Sequence, residues 1–138
     1  MALILLQFTQ DNNKEKNTMI NVNQTAKTLD EGIKNLMAGA KLDYEKWSTL
    51  GGKELSGYSK EQVDNWDNKT KIKNGKKYIK IVQDTGVFCF IVKEDFKYFK
   101  KGDILKAAGY NAPALNSPRG NVLSGNYPIQ WTGPLYLK

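Results

Sequence analysis

The sequence predicts an α+β fold in which N-terminal helices precede a small, strongly bent antiparallel sheet or barrel-like β-meander. Apolar residues at helical spacing occupy the first half, and short strand-forming runs between Gly and Pro turns occupy the second. Because the helices precede the strands instead of alternating with them, the class is α+β. The 138 residues fit one domain, 19–138, helical over 23–72 and β-rich over 76–138, with residues 1–18 as an N-terminal arm.

The arm is interpreted as a flexible segment or an edge strand. Residues 1–8 are mostly apolar, but they lack the basic flank and the small-residue cleavage site of a signal peptide. They are also shorter than the roughly 20 residues of a transmembrane helix. Met19 is an alternative start, which would make residues 1–18 an upstream extension. We therefore expect no membrane partner and no secretion.

Three helices are predicted in the first half. Thr28 and Glu31 have the spacing of a capping box, in which each side chain bonds a backbone N–H of the first turn. A second helix is predicted from Asp43 to Leu50, before a pair of glycines, and a third from a second capping box at Ser59. The residues predicted to face the core are Ile33, Leu36, Met37, Ala40, Val63 and Trp66.

The second half predicts a β-hairpin over residues 77–92, which follows an Asn-Gly turn and reverses at Asp84–Gly86. A turn at Lys100–Asp103 leads into a further apolar run from Ile104. Residues 109–120 are rich in Gly, Pro, Asn and Ser and predict a long irregular loop. Short strands limited by prolines to edges or bends are expected at 122–123, 129–132 and 135–137.

Histidine is absent from the chain, and this excludes whole classes of chemistry. Serine–histidine triads, histidine general bases and most zinc sites all need it. The single cysteine, Cys89, lies in the most apolar run and is interpreted as a buried core residue, because a nucleophile would need an activating base. We therefore expect no catalytic residue, no metal and no cofactor, and a protein that is not an enzyme.

Charge is distributed unevenly along the chain. Residues 1–66 carry eight lysines and nine acidic residues, a net charge of −1, whereas residues 67–138 carry thirteen basic and five acidic residues, a net charge of +8. Ten of the fifteen aromatic residues lie in the second half as well. Clustered ammonium groups displace counterions from phosphates, and exposed aromatic rings stack on single-stranded bases. The second half is therefore the candidate contact surface.

The candidate nucleic-acid- or anion-binding residues all lie in this basic half. Lysine outnumbers arginine twenty to one, which favours contact with phosphates over the reading of base edges. A solvated face, with the aromatic rings turned to the core, is the alternative interpretation. The candidates are Lys71, Lys73, Lys76, Lys77, Lys80, Lys100, Lys101, Lys106 and Arg119.

Arg119 is the only arginine and lies between Pro118 and Gly120 in the long loop. Two interpretations stay open. The guanidinium can clamp a phosphate or a carboxylate. Alternatively, it pairs with Asp103 or with backbone carbonyls and holds the shape of the loop.

One set of motifs lies in the last 60 or so residues and consists of Lys101–Ala108, Ala112–Ala114, Asn116, Arg119–Asn121 and Trp131–Gly133. Together they resemble a pattern found in small uncharacterised proteins of large tailed bacteriophages, notably marine ones. The resemblance implies a viral genome and a location in the cytoplasm of a bacterial host or in a virion, and it implies no activity.

Two functions are consistent with these patterns. The first is a non-enzymatic binding protein, phage-encoded, that contacts nucleic acid through its basic second half. The second is a virion assembly or host-directed interaction factor, in which residues 1–18 add a strand to another protein or to a second copy of the chain.

Overall fold

The computed structural model describes residues 8–10 and 20–135, and it confirms the predicted α+β class. A helical segment precedes most of the strands, and the strands form two antiparallel sheets. A single 3₁₀ turn, Leu50–Gly52, follows the first helix. The elements are β1 (Phe8–Gln10), β2 (Ile20–Val22), α1 (Leu29–Ser48), α2 (Gly57–Asp64), α3 (Trp66–Lys69), β3 (Thr70–Asn74), β4 (Tyr78–Gln83), β5 (Gly86–Val92), β6 (Ile104–Leu105) and β7 (Tyr127–Ile129).

Helix α1 begins where the capping box predicts. Thr28 Oγ1 accepts a hydrogen bond from the backbone N–H of Glu31 at 3.1 Å, and Glu31 Oε1 accepts one from the N–H of Lys27 at 3.1 Å. The helix then continues to Ser48, so the two helices predicted here are one. No helix-breaking residue lies between Ala40 and Asp43, and the buried face therefore continues as far as Tyr44.

Helix α2 begins two residues earlier than predicted, at Gly57. The capping box predicted at Ser59 does not form, because the N-cap is Ser56 and Ser59 lies inside the helix. The Gln62 side chain instead donates to the hydroxyl of Tyr58 at 2.6 Å. The prediction that Val63 and Trp66 face inward is confirmed, since both are buried.

The larger sheet has the strand order β3-β4-β5-β6, which is a β-meander. The predicted hairpin is confirmed as β4 and β5, with a bulge after Ile81. Strand β3 begins at Thr70, whereas residues up to 72 were expected to be helical, because pairing with β4 overrides the weak helical pattern there. In the described part of the chain, the strands form two open sheets and not a barrel.

The two faces of the larger sheet pack against different clusters. Ile79, Ile81 and Ile91 point into the main core, together with the buried face of α1. The opposite face of β5 and β6 is covered by the loops that follow them. The second cluster consists of Phe90, Val92, Phe99 and Leu105.

Cys89 is fully buried, as predicted. Burial raises the pKa of its thiol, because a thiolate would lose its hydration in the core. The side chain is therefore a neutral, space-filling group.

The smaller sheet has the order β1-β2-β7. Pro128 lies in β7 at the edge of this sheet, which suits a residue that cannot donate a backbone hydrogen bond. Phe8–Gln10 form its other edge, but the rest of the arm lies outside the described residues. The closing strand predicted at 135–137 also falls mostly outside them, and Leu135 belongs to no strand.

No helix in the described ranges has the length and apolarity needed to cross a membrane.

Candidate nucleic-acid interface

Three of the candidate lysines share one face of the β3–β4 pair. Lys71 and Lys73 are two residues apart on β3, so strand alternation directs both to the same side. Lys73 lies directly opposite Lys80 on β4. Side chains in such pairs have Cβ atoms about 5 Å apart. We call Lys71, Lys73 and Lys80 the lysine face.

The charge of the lysine face is not balanced by acidic groups. Among the described residues, ion pairs join Lys60 to Asp64 and Lys69 to Glu61, and both pairs lie in the helical region. Like charges directly opposite each other on adjacent strands destabilise a sheet. The lysine face therefore carries an electrostatic cost that an anionic partner would relieve.

Tyr110 forms the border of the lysine face, although it lies thirty residues further along the chain. The Nζ atom of Lys80 is 3.9 Å from the centroid of the Tyr110 ring, which is a cation–π contact. The same Nζ donates to the carbonyl oxygen of Tyr110 at 2.9 Å and to Asn111 Oδ1 at 3.3 Å. Tyr110 is 52% exposed. It was not among the residues predicted from the sequence, where its one signal was an aromatic residue inside a Gly- and Asn-rich loop.

Four further candidates gather at one end of the larger sheet. The turn between β3 and β4 meets the connection between β5 and β6, because the N–H of Lys93 donates to the carbonyl of Lys77 at 3.0 Å. The ammonium of Lys77 lies 5.1 Å from the ring of Phe96. Tyr98 is 70% exposed at this end and stacks on Phe99 with 4.8 Å between centroids. The exposed candidates at this end are Lys76, Lys77, Lys100 and Lys101.

Acidic groups accompany the lysines at that end of the sheet. Glu94 and Asp95 are exposed in the β5–β6 connection, and Asp95 Oδ1 accepts a hydrogen bond from the N–H of Lys101 at 2.7 Å. The buried Asp103 has a structural role, accepting from the N–H of Lys100 at 2.9 Å and from Asn121 Nδ2 at 2.9 Å. The end of the sheet is thus less purely basic than the lysine face.

The last two candidates, Lys106 and Arg119, hold the C-terminal segment. The Nζ of Lys106 donates to the carbonyl of Pro134 at 3.1 Å, and the Nε of Arg119 donates to the carbonyl of Leu135 at 3.1 Å. Partial burial lowers the pKa of both groups, and the charge of Arg119 lowers that of Lys106 further. These two side chains are therefore partly desolvated and engaged within the fold.

Of the two interpretations of Arg119, the contacts agree with the one that holds the loop. Its Nη1 donates to Asn116 Oδ1 at 2.8 Å and to the carbonyl of Ser117 at 3.1 Å. The backbone is fixed as well, because the N–H of Arg119 donates to the carbonyl of Ile104 at 2.8 Å. The next residue, Gly120, has φ 148°, and a Cβ there would lie 2.5 Å from the Cβ of Tyr127. Only glycine fits at position 120, because Tyr127 occupies the space of a side chain.

Comparison with known proteins places the chain in a family. The model of a family of unknown function, DUF7717, matches residues 5–137. No curated protein and no solved structure matches the chain. Since the match spans almost the whole chain, this protein belongs to the DUF7717 family of unknown function.

Proposed function

We propose that this protein binds single-stranded nucleic acid through the lysine face and is not an enzyme. The observation that carries the proposal is the cross-strand pair of Lys73 and Lys80, with Lys71 on the same side of the sheet. Three ammonium groups without acidic partners among the described residues form a site for successive phosphates.

Exposed aromatic rings near the lysines favour single strands over duplexes. Tyr110 borders the lysine face, and Tyr98 projects at the basic end of the sheet. Unpaired bases stack on such rings, whereas the bases of a duplex are already stacked. Lysine contacts phosphate as a point charge, so we expect binding with little sequence preference.

The resemblance to bacteriophage proteins suggests a setting for this activity. A phage-encoded protein of this kind would act inside a bacterial host cell, where single-stranded nucleic acid occurs during replication.

An assembly or host-interaction role is the alternative proposal. Phe8–Gln10 form an edge strand of the smaller sheet, and strand edges can pair with another chain. The remainder of residues 1–18 lies outside the described residues. Loss of oligomers or of partner capture on deletion of residues 1–18, measured by light scattering, would support this role.

Fluorescence anisotropy with a labelled oligothymidylate of about 20 nucleotides tests the nucleic-acid proposal. The wild-type protein should bind at about 50 mM salt and release the strand toward about 200 mM. Replacing Lys71, Lys73 and Lys80 together by Gln should reduce the slope of log affinity against log salt by about 2, since each phosphate contact contributes about 0.7.

A matched control removes the same charge elsewhere. Lys27, Lys34 and Lys53 are exposed in the helical half, and their joint replacement by Gln changes the net charge equally. This control should keep nearly the wild-type slope. No detectable binding by the wild-type protein at low salt, or equal losses in both triple variants, would overturn the proposal.

A further inference from the structure

A cleft on another part of the molecule is lined by aromatic rings. It lies where the C-terminal part of α1, helix α3, the turn between β4 and β5, and the turn after β7 meet. Its volume is about 290 Å³. The volumes of small-molecule sites range upward from about 300 Å³, so the cleft has room for a ligand of about one six-membered ring. We call it the aromatic cleft, and the residues that line it include Tyr44, Trp66, Asp84, Thr85, Trp131 and Thr132.

The rings of the aromatic cleft hold one another in place. Tyr44 packs against Trp66 with 6.0 Å between centroids and against Trp131 at 5.0 Å, edge to face at 78°. Tyr44 and Trp66 are buried, whereas Trp131 is only partly buried. The backbone N–H of Trp131 donates to Asp43 Oδ2 at 2.9 Å, which ties its turn to α1. Trp131 therefore presents a fixed ring surface to a ligand.

Trp66 contributes ring surface to the aromatic cleft. The residue is 4% exposed and lines the cleft, and its indole Nε1 is buried with no hydrogen-bond partner among the described residues. Because this atom is closed off from the cleft, a ligand would pack against the ring of Trp66 and would not reach its N–H.

The remaining polar groups of the aromatic cleft indicate a neutral ligand with hydroxyl groups. Asp84, Thr85, Thr132, Gln62 and Gln83 line it, and no lysine or arginine of the described chain does. A lining with one carboxylate and no cation disfavours a phosphate. A carboxylate accepts hydrogen bonds from hydroxyl donors, and threonine hydroxyls both donate and accept.

A second cavity of about 550 Å³ adjoins the aromatic cleft, and Tyr44 and Trp131 line both. Its wall carries Trp47, which is 59% exposed, and Tyr58, which is 70% exposed, and the exposed Lys53 also lines it. The ring centroids of Trp47 and Trp131 are 5.8 Å apart. The two cavities are therefore adjacent, with aromatic surfaces at successive positions, and we call them together the aromatic track.

We propose that this track binds a neutral oligosaccharide, with one sugar ring in the aromatic cleft and the next against Trp47 and Tyr58. The C–H groups on a sugar ring carry partial positive charge and pack on the negative face of an aromatic ring. The hydroxyls around the ring supply hydrogen-bond donors for the carboxylate of Asp84. A lone base would use one flat surface and would leave the adjoining cavity empty.

Isothermal titration calorimetry of the full chain with maltotriose, cellotriose, triacetylchitotriose and mannotriose tests the proposal. At least one should bind with a dissociation constant of about 1 mM or lower. Trp131→Ala should weaken that binding at least about tenfold, which corresponds to loss of one stacked ring. Asp84→Asn should weaken it severalfold, and it preserves the turn, because Asn tolerates the φ of 61° found there.

Two matched controls separate this site from the nucleic-acid proposal. Tyr110→Ala removes an exposed ring elsewhere, and the triple variant Lys71→Gln, Lys73→Gln, Lys80→Gln removes the lysine face, so both should bind the trisaccharide like the wild type. Absence of binding by all four sugars, binding of adenosine or uridine instead, or binding that both cleft variants leave unchanged would overturn the inference. None of these results depends on whether oligothymidylate binds.

Discussion

Two groups of cations in the second half of the chain differ in what they touch. Lys71 and Lys73 project from β3 and form no ion pair with a described residue, whereas Lys106 and Arg119 donate to carbonyls of Pro134 and Leu135. The first group is free to meet a partner, and the second stabilises the C-terminal segment. The basic residues that give residues 67–138 a net charge of +8 therefore do not form one binding surface.

The largest expected effect is on the free energy of unfolding, and it differs between residues on the two faces of strand β4. Ile81 is fully buried in the main core, while its neighbour Lys80 lies on the lysine face. Ile81→Ala should lower the free energy of unfolding by about 2–5 kcal/mol through lost contacts and a cavity. Lys80→Ala should cost about 1 kcal/mol, because the cation–π contact and the two hydrogen bonds that it loses are exposed to solvent and the repulsion from Lys73 is relieved. Urea unfolding measures the stability of both variants. Equal losses of stability would contradict the assignment of Ile81 to the core and of Lys80 to the exposed face.

Effects of intermediate size are expected when one cation of each group is replaced and both stability and binding are measured. Arg119→Gln should reduce the free energy of unfolding by about 1–2 kcal/mol, since three hydrogen bonds to the loop and the C-terminal segment are weakened. It should leave affinity for oligothymidylate nearly unchanged. Lys71→Gln should do the reverse, with unchanged stability and weaker binding. A loss of binding in Arg119→Gln without loss of stability would instead favour the anion-clamp interpretation.

The smallest expected effect concerns a partly buried carboxyl group. Burial raises the pKa of Asp43 above its ordinary value of 3.8, although the N–H of Trp131 and the charge of Lys46 oppose the shift. The folded state thus holds the proton more tightly than the unfolded state. The stability that this proton contributes is complete below pH 3.8 and is lost as the pH rises through the folded-state pKa.

Asp43→Asn removes this titration and retains an acceptor for Trp131. The stability of the variant relative to wild type should therefore increase between about pH 3 and about pH 7, as measured by urea unfolding at each pH. A relative stability that falls over this range would show that the carboxylate is the form favoured by the fold.

The local elements that the sequence predicted correctly are those with a signal confined to a few residues. Thr28 and Glu31 mark the start of α1 because the cap involves only one turn of helix. The hairpin of β4 and β5 follows from strand formers on both sides of a tight turn. Cys89 lies in a continuous apolar run and is buried accordingly.

The errors arise where a second contact competes with a predicted local pattern. A weak pattern suggested a helix up to residue 72, but Thr70–Asn74 pair with β4 and form a strand. Ser59 has the spacing of a cap, yet α2 begins at Gly57 and Ser59 lies inside it. The strand partner of Thr70–Asn74 is not recognisable from local spacing, whereas the error at Ser59 is a shift of two residues in a helix boundary.

By itself, the sequence determined the fold class, the basic character of the second half and the absence of histidine chemistry, because these depend on composition and local periodicity. Only the tertiary structure decided which cations lie together. Strand register brings Lys73 opposite Lys80, and loop folding brings Tyr110 onto Lys80 across thirty residues. The aromatic cleft also depends on tertiary structure, since its rings come from Tyr44, Trp66 and Trp131. Packing of distant segments, which no local pattern encodes, creates both candidate sites.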